Sequence, residues 1–212
     1  MYQKLLRSAA LILSLPSTLA LILLFNQQPV AAEQASQDPH HEHHHHHPVP
    51  AGVERTEAAY TVPDVNLVNQ NGDKVSLPEL LDSDQPVMLN FIFTSCTAIC
   101  PAMSATFASV QKKLGDDSTK LRMISVSIDP EYDTPDALNA YAKRFKAGPQ
   151  WAFLTGSLDD SVAVQKAFDA DRGDKMNHAP MTLMRASPDS EWVRYEGFAR
   201  ADELAEEVRS ML

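Results

Sequence analysis

The chain has 212 residues, with 18 basic and 28 acidic side chains and a net charge of −10 at pH 7. Such an acidic composition argues against nucleic acid as a partner. The sequence also has no G-x-S-x-G or G-x-x-x-x-G-K motif, so neither a serine hydrolase nor a P-loop enzyme has support.

The N-terminal segment, residues 1–32, has the layout of an export signal. Lys4 and Arg7 precede an apolar run over residues 9–25, and Val30-Ala31-Ala32 offers a small-residue cleavage site. If the segment is not cleaved, the two basic residues stay in the cytoplasm and the apolar run becomes a membrane anchor. Either way we expect the rest of the chain on the periplasmic or extracytoplasmic side of the membrane.

Residues 33–55 form a predicted disordered linker, because they are nearly free of apolar residues and contain three prolines. Neutral imidazole binds copper, zinc or nickel, so a metal-collecting tether is one interpretation of this His-rich linker. A purification tag or neutral low-complexity sequence is the other. The histidines are His40, His41 and the run from His43 to His47.

The remaining residues, 56–212, are enough for one domain with a real core. Asn71-Gly72 between two alternating runs predicts a two-residue β-hairpin near the start of this domain. The apolar run at residues 86–93 predicts a strand that is covered on both faces. A helix opened by Pro101 and closed at Gly115 should follow it.

The second half of the domain continues the alternation. Residues 121–128 predict another buried strand, and Thr134 should cap the next helix. We then expect a strand at 151–154, a helix at 159–170, an antiparallel strand pair around residues 187–189, and a closing helix at 201–212. This order predicts an α/β fold: a thioredoxin-like, glutaredoxin-type three-layer sandwich with a central mixed sheet and an N-terminal β-hairpin.

Cys96 and Cys100, the only cysteines, follow the first buried strand in the stretch NFIFTSCTAICPAMSATF. A disulfide across so short a loop would add little stability, which favours a chemical role over a structural one. The start of the following helix should stabilise thiolates, and helical spacing would point both sulfurs to one spot. Two soft thiolates favour Cu(I), zinc or an iron–sulfur centre, while a redox disulfide stays feasible.

These motifs, with ISVSIDPEYDTPDALNAYAKRF, WAFLTG and NHAPMTLMRASPDSEWVRYEGF downstream, resemble the Sco/SenC family of copper-binding proteins involved in cytochrome c oxidase assembly. The resemblance runs from about residue 62 to the end of the chain. It implies a thioredoxin-like fold, a single N-terminal anchor, and copper, Cu(I) or Cu(II), bound by Cys96, Cys100 and His178. It also implies a copper-accepting oxidase subunit or other apo-cuproprotein as partner.

His178 is the only histidine in residues 56–212, and it stands just before a predicted strand. In a thioredoxin-like fold the loop that enters this strand lies against the cysteine loop. Two thiolates and an imidazole can hold Cu(I) and accept Cu(II). Three nearby methionines could add a thioether, but methionine beside an apolar strand is usually core, so they are left out of the predicted site. They are Met176, Met181 and Met184.

Two other positions bear on the resemblance. Asp129 matches an acidic position of the family; it could support the site, serve partner recognition, or cap the loop before Thr134. Thr97 stands where many family members have proline after the first cysteine, which puts copper affinity and partner identity in doubt.

The sequence leaves two main functions open. One is a copper metallochaperone; the other is a thiol–disulfide oxidoreductase that reduces partner cysteines through Cys96 and Cys100. Peroxidase chemistry has weaker support, because Phe93 replaces the proline that precedes the peroxidatic motif.

Overall fold

The computed structural model describes residues 52–212, whose centre is one mixed β-sheet. Its eight strands are β1 (Glu54–Ala58), β2 (Asn66–Asn69), β3 (Lys74–Ser76), β4 (Val87–Ile92), β5 (Arg122–Ser127), β6 (Trp151–Thr155), β7 (Met181–Arg185) and β8 (Trp192–Glu196). They lie in the order β1-β8-β7-β4-β5-β6-β2-β3. The pairs β4–β5 and β5–β6 are parallel, and every other neighbouring pair is antiparallel.

Five α-helices and two short 3-10 helices connect the strands. The α-helices are α1 (Leu77–Leu81), α2 (Ile99–Leu114), α3 (Pro135–Arg144), α4 (Leu158–Ala167) and α5 (Ala201–Met211). The 3-10 helices span Gly115–Lys120 and Lys175–Asn177. None of the helices in the described part of the chain is long and apolar enough to cross a membrane.

The helices cover both faces of the sheet, which gives the three layers of a thioredoxin-like fold. One core cluster joins α2, α3 and α5 to the sheet through residues such as Phe107, Tyr141 and Leu204. The other joins α1 and α4 to the opposite face through residues such as Leu77 and Val164. The predicted α/β sandwich with a central mixed sheet is therefore confirmed.

Strand β4 is the central strand that positions the site, and all six of its residues are buried. Alternate side chains of the strand enter the two core clusters: Met88 and Ile92 in one, Leu89 and Phe91 in the other. Each such apolar side chain contributes about 1.5–3 kcal/mol when it leaves water. The loop that carries the cysteines thus begins at the end of a strand that is buried along its whole length.

Three local predictions need correction. The hairpin β2–β3 is present, but its loop has three residues rather than two: Asn69 N–H donates to the Asp73 carbonyl, and Gly72 has φ +88°. That left-handed glycine closes a three-residue loop without strain. Helix α2 begins at Ile99, two residues before Pro101.

The third correction is β1, which begins at Glu54 inside the predicted linker and pairs with β8. Its sequence, ERTEA, has no apolar alternation, because the strand lies exposed at the sheet edge. The predicted signal or anchor at 1–32 and the histidines of the linker lie outside the described residues.

Candidate metal site

Cys96 lies in the loop between β4 and α2, just before the helix begins. Helix α2 has no side-chain hydroxyl or carboxylate at its N-terminus; instead the Cys100 N–H donates to Cys96 Sγ at 3.4 Å. The sulfur therefore accepts one of the backbone N–H groups that a helix start leaves free. The predicted helical position is wrong for Cys96, which precedes α2, but the two cysteine side chains do lie within hydrogen-bonding reach of each other.

Cys100 is fully buried in the first turn of α2. Its own sulfur accepts the Phe93 N–H at 3.4 Å, from the residue that follows β4. The two thiols are thus linked through the helix backbone, with Cys96 half-buried and Cys100 beneath it. Both are free thiols in this structure.

The two sulfurs have opposite acidities. Partial burial raises the pKa of Cys96, but backbone N–H groups of Cys100, Ala98 and Ile99 outweigh it, so the net pKa lies below that of an ordinary thiol. Deep burial raises the pKa of Cys100 well above the usual value. Because the thiolate is the reactive form, Cys96 is the more reactive thiol of the pair.

A buried carboxylate holds the start of the cysteine loop. Asp133, fully buried, accepts hydrogen bonds from the Thr94 N–H, the Thr94 hydroxyl and the Ser127 hydroxyl. Thr94 lies just after β4, and Ser127 is the last residue of the neighbouring strand β5. Asp133 was not among the predicted site residues, although it stands in the same DPEYDTP stretch as Asp129; nothing in the pattern reveals which of the two carboxylates accepts these hydrogen bonds.

His178 ends the 3-10 helix Lys175–Asn177, three residues before β7. Only 8% of its surface is exposed, and its ring packs edge-on to Phe93 with centroids 6.4 Å apart. Burial lowers the pKa of His178 to about 4, although a contact with the Phe91 backbone works against this. The imidazole is therefore neutral at pH 7, the form that binds metals.

Nε2 of His178 is buried and has no hydrogen-bond partner among residues 52–212. Burying a polar nitrogen without a hydrogen-bond partner costs about 1–3 kcal/mol of folding free energy. Such an atom in a native protein therefore calls for a functional explanation. A lone pair on a neutral imidazole suits a borderline or soft metal ion. The Nε2 atom is therefore a donor that no described residue uses.

One pocket of about 200 Å³ brings the two sides together, and both Cys96 and His178 line it. Cys100 does not line it, since its sulfur is turned inward against Phe93. Within the described residues, no three His, Cys, Asp or Glu side chains are already clustered closely enough to hold a metal ion. Of the three predicted ligands, Cys96 and His178 thus line one pocket, Cys100 lies beneath Cys96, and the three do not form a closed coordination set.

Asp129, whose role the sequence left open, is buried and forms an ion pair with Lys175 Nζ at 2.7 Å. The ammonium group also lies over the Tyr132 ring, 4.8 Å from its centroid. Lys175 itself lines the pocket. The Asp129 side chain therefore fastens the segment that carries His178, rather than capping the loop before Thr134.

The fold and this site define a class: a thioredoxin-like protein with a dithiol at the head of a helix and a neutral histidine facing it. Residues 53–212 match the family model described as SCO1/SenC. The chain therefore belongs to the SCO1/SenC family, as the resemblance predicted.

Individual relatives agree with this assignment. The SCO1 protein homolog of Bacillus subtilis is 40% identical over 104 residues, covering 49% of this chain and 53% of that protein. This chain thus aligns with about half the length of that relative. The structure of BsSco, described as having a disulfide switch and as a member of the Sco family of cytochrome c oxidase assembly proteins, is 31% identical. It has a TM-score of 0.62 and covers 74% of this chain and 95% of BsSco.

A more distant structure, copper-bound ScoI of Bradyrhizobium japonicum, is 23% identical with a TM-score of 0.60. It covers 72% of this chain and all of the ScoI chain. At this identity the match supports the shared fold.

Proposed function

We propose that this protein is a copper metallochaperone that binds copper through Cys96, Cys100 and His178. The observation that carries the proposal is the pocket shared by Cys96 and His178, with an unpartnered Nε2 on the histidine. Two thiolates and one imidazole form a donor set suited to Cu(I) that also accepts Cu(II). The copper-bound relative and the oxidase-assembly description of BsSco point the same way.

In this function copper is cargo. Cys96 takes the ion first, because its sulfur borders the pocket and is the more acidic thiol. Cys100 joins after its sulfur turns away from the Phe93 N–H, a change of side-chain rotamer. His178 then offers its free Nε2. The ion passes on by ligand exchange to an apo-cuproprotein, for which a cytochrome c oxidase subunit is the first candidate.

The same proposal includes location. The charged and apolar pattern of residues 1–32 supports export, with the domain released or held at the extracytoplasmic face of the membrane. A copper-delivery protein has to be located on the side of the membrane where the copper site of its acceptor is assembled. Fusion of residues 1–55 to a periplasmic reporter tests export, and carbonate extraction distinguishes an anchored from a cleaved product.

The decisive experiment is anaerobic copper loading of residues 52–212, followed by absorption spectroscopy. We expect one copper per chain and a thiolate-to-Cu(II) charge-transfer band. Cys96→Ser and Cys100→Ser should abolish the band, and His178→Ala should shift it and weaken binding by about 10- to 100-fold. Ser109→Ala, which removes an exposed hydroxyl from the same helix outside the pocket, is the matched control. Stoichiometric copper binding that survives both cysteine changes would contradict the proposal.

A second function, thiol–disulfide exchange, has its own supporting observation. An acidic, half-buried Cys96 beside a fully buried Cys100 is the asymmetry that a reductase uses: the first sulfur attacks and the second resolves the mixed disulfide. Reduction of a model disulfide peptide should then need both cysteines and be indifferent to His178→Ala. Loss of reductase activity in His178→Ala would instead assign the thiols to the metal site.

The His-rich linker is a separate element of the proposal, as a metal-collecting tether. Its histidines, within residues 40–47, suit Cu(II), zinc or nickel. Copper titration of the exported chain should give a higher stoichiometry than a chain lacking residues 40–47. Equal stoichiometry in the two chains would assign the linker to neutral low-complexity sequence.

A further inference from the structure

The structure separates three methionines that the sequence places near His178. Met181 and Met184 lie in β7 with 3% and 0% of their surface exposed, and they belong to the two core clusters. Met176, in contrast, is 75% exposed. Methionine is normally a buried residue that fills gaps in cores, so this exposed side chain has no packing role to explain it.

Met176 also lies at the pocket that Cys96 and His178 share. Three residues that carry different donor groups therefore line one space of about 200 Å³: a cysteine, a histidine and a methionine. The pocket lacks a third Cys, His, Asp or Glu ligand already in place among the described residues. A thioether is the remaining soft donor there.

The backbone beneath Met176 is held, although its side chain is free. The Met176 N–H donates to Asp174 Oδ1 at 2.8 Å, and the Asn177 N–H donates to the Asp174 carbonyl at 2.9 Å. Next to it, Lys175 is fastened to Asp129. A side chain with three rotatable bonds can reach across the pocket mouth by rotation alone, without a movement of the backbone.

We propose that Met176 is an additional Cu(I) ligand at the pocket mouth, where its thioether binds the ion together with Cys96 and His178 during entry and release. Thioethers are soft ligands that select Cu(I), and Cu(II) gains little from them. The residue therefore makes the pocket mouth selective for the reduced ion. This inference rests on the proposed copper function and adds a residue and an oxidation-state preference to it.

The test replaces the sulfur while keeping the side chain apolar. Met176→Leu and Met176→Ala are compared with the unchanged protein in anaerobic Cu(I) competition against bicinchoninate and in Cu(II) competition against glycine. Both variants should lose Cu(I) affinity by about tenfold, and Cu(II) affinity should stay within about twofold. In both variants, the rate at which Cu(I) passes to bicinchoninate should also differ from the rate in the unchanged protein. Met211→Leu, in α5 and away from the pocket, controls for loss of a methionine.

Each other outcome is informative. If Met176→Leu behaves like the unchanged protein while Met176→Ala is weakened, the side chain is only an apolar cover and the proposal fails. Equal losses for Cu(I) and Cu(II) would overturn the oxidation-state preference. If both variants bind Cu(I) like the unchanged protein, copper binding stands and only the Met176 role falls. If the unchanged protein binds no copper, the chaperone function itself fails, and Met176 with it.

Discussion

The cysteine loop and the histidine segment face each other across the pocket, but they are held in different ways. Residues 93–98 follow the buried strand β4 and are tied down by the Asp133 carboxylate and by N–H groups that reach both sulfurs. Residues 172–177 are mostly exposed and depend on a three-residue 3-10 turn and the Lys175–Asp129 ion pair.

This difference suggests how a carrier can bind a metal tightly and still release it. In the proposed function the firmly held cysteine loop provides affinity, because Cys96 is positioned before the ion arrives and only the Cys100 side chain has to turn. A weakly fastened histidine segment provides access, since segments with few buried contacts open at low free-energy cost. The following predictions test this contrast, beginning with the largest expected effect.

Removing the carboxylate under the cysteine loop should have the largest effect on stability. Asp133→Ala leaves the Thr94 N–H, the partly buried Thr94 hydroxyl and the buried Ser127 hydroxyl without their acceptor, and we expect a loss of about 3 kcal/mol in the free energy of unfolding. Urea denaturation followed by circular dichroism measures it. Asp84→Ala, an exposed loop carboxylate, should change stability by less than about 0.5 kcal/mol. Similar midpoints for both variants would show that Asp133 does not hold the loop.

The two thiols should differ in reactivity by about 100-fold or more, because Cys96 is the acidic, accessible sulfur and Cys100 is buried with a raised pKa. Timed iodoacetamide labelling of the reduced, metal-free protein, read by mass spectrometry of peptides, measures the ratio. In 6–8 M urea the two sites should react at similar rates. Faster labelling of Cys100 in the folded protein would reverse the assignment of nucleophile.

Acidification should destabilise the metal-free protein through His178. The folded pKa of about 4 lies below the ordinary value of 6.5, so the unfolded chain binds more protons between these values. Stability from this group is therefore present above about pH 6.5 and is lost as pH falls toward 4. Between pH 7 and pH 5 we expect a contribution of about 2 kcal/mol, which His178→Gln should remove from the pH dependence of urea unfolding. An unchanged slope in the variant would contradict the burial of a neutral ring.

The smallest effect should come from the ion pair that fastens the histidine segment. Lys175→Ala should lower the free energy of unfolding by only a small amount, because the lysine is partly exposed but its loss leaves the buried Asp129 carboxylate without its partner. It should nevertheless speed amide exchange of residues 172–178 by a factor of about two to five, with no change in residues 93–98. Hydrogen–deuterium exchange with peptide resolution measures both segments at once. Equal acceleration of amide exchange in residues 93–98 and 172–178 would contradict the difference in how the two segments are held.

Much of the fold could be predicted from local sequence patterns. The Thr134 cap with Pro135 after it does begin α3, and the Thr134 hydroxyl accepts the Ala137 N–H. The apolar run before the cysteines is the buried strand β4, as its length and composition indicated. Caps and apolar periodicity act within a few residues, so sequence alone carries them. Strand β1 escaped prediction because its pairing with β8 is a long-range contact without a local pattern.

The sequence by itself determined the kinds of donor atoms and their order along the chain: two thiols at the end of a buried strand and one histidine before another. Only the tertiary structure decided that Cys96 is the more acidic thiol, that Asp133 is the carboxylate that holds the cysteine loop, and that Met176 is the exposed one of the three methionines near His178. Acidity and exposure depend on groups brought close by folding, such as the N–H groups at the head of α2. Distances between residues that are far apart in the sequence cannot be predicted from local sequence patterns.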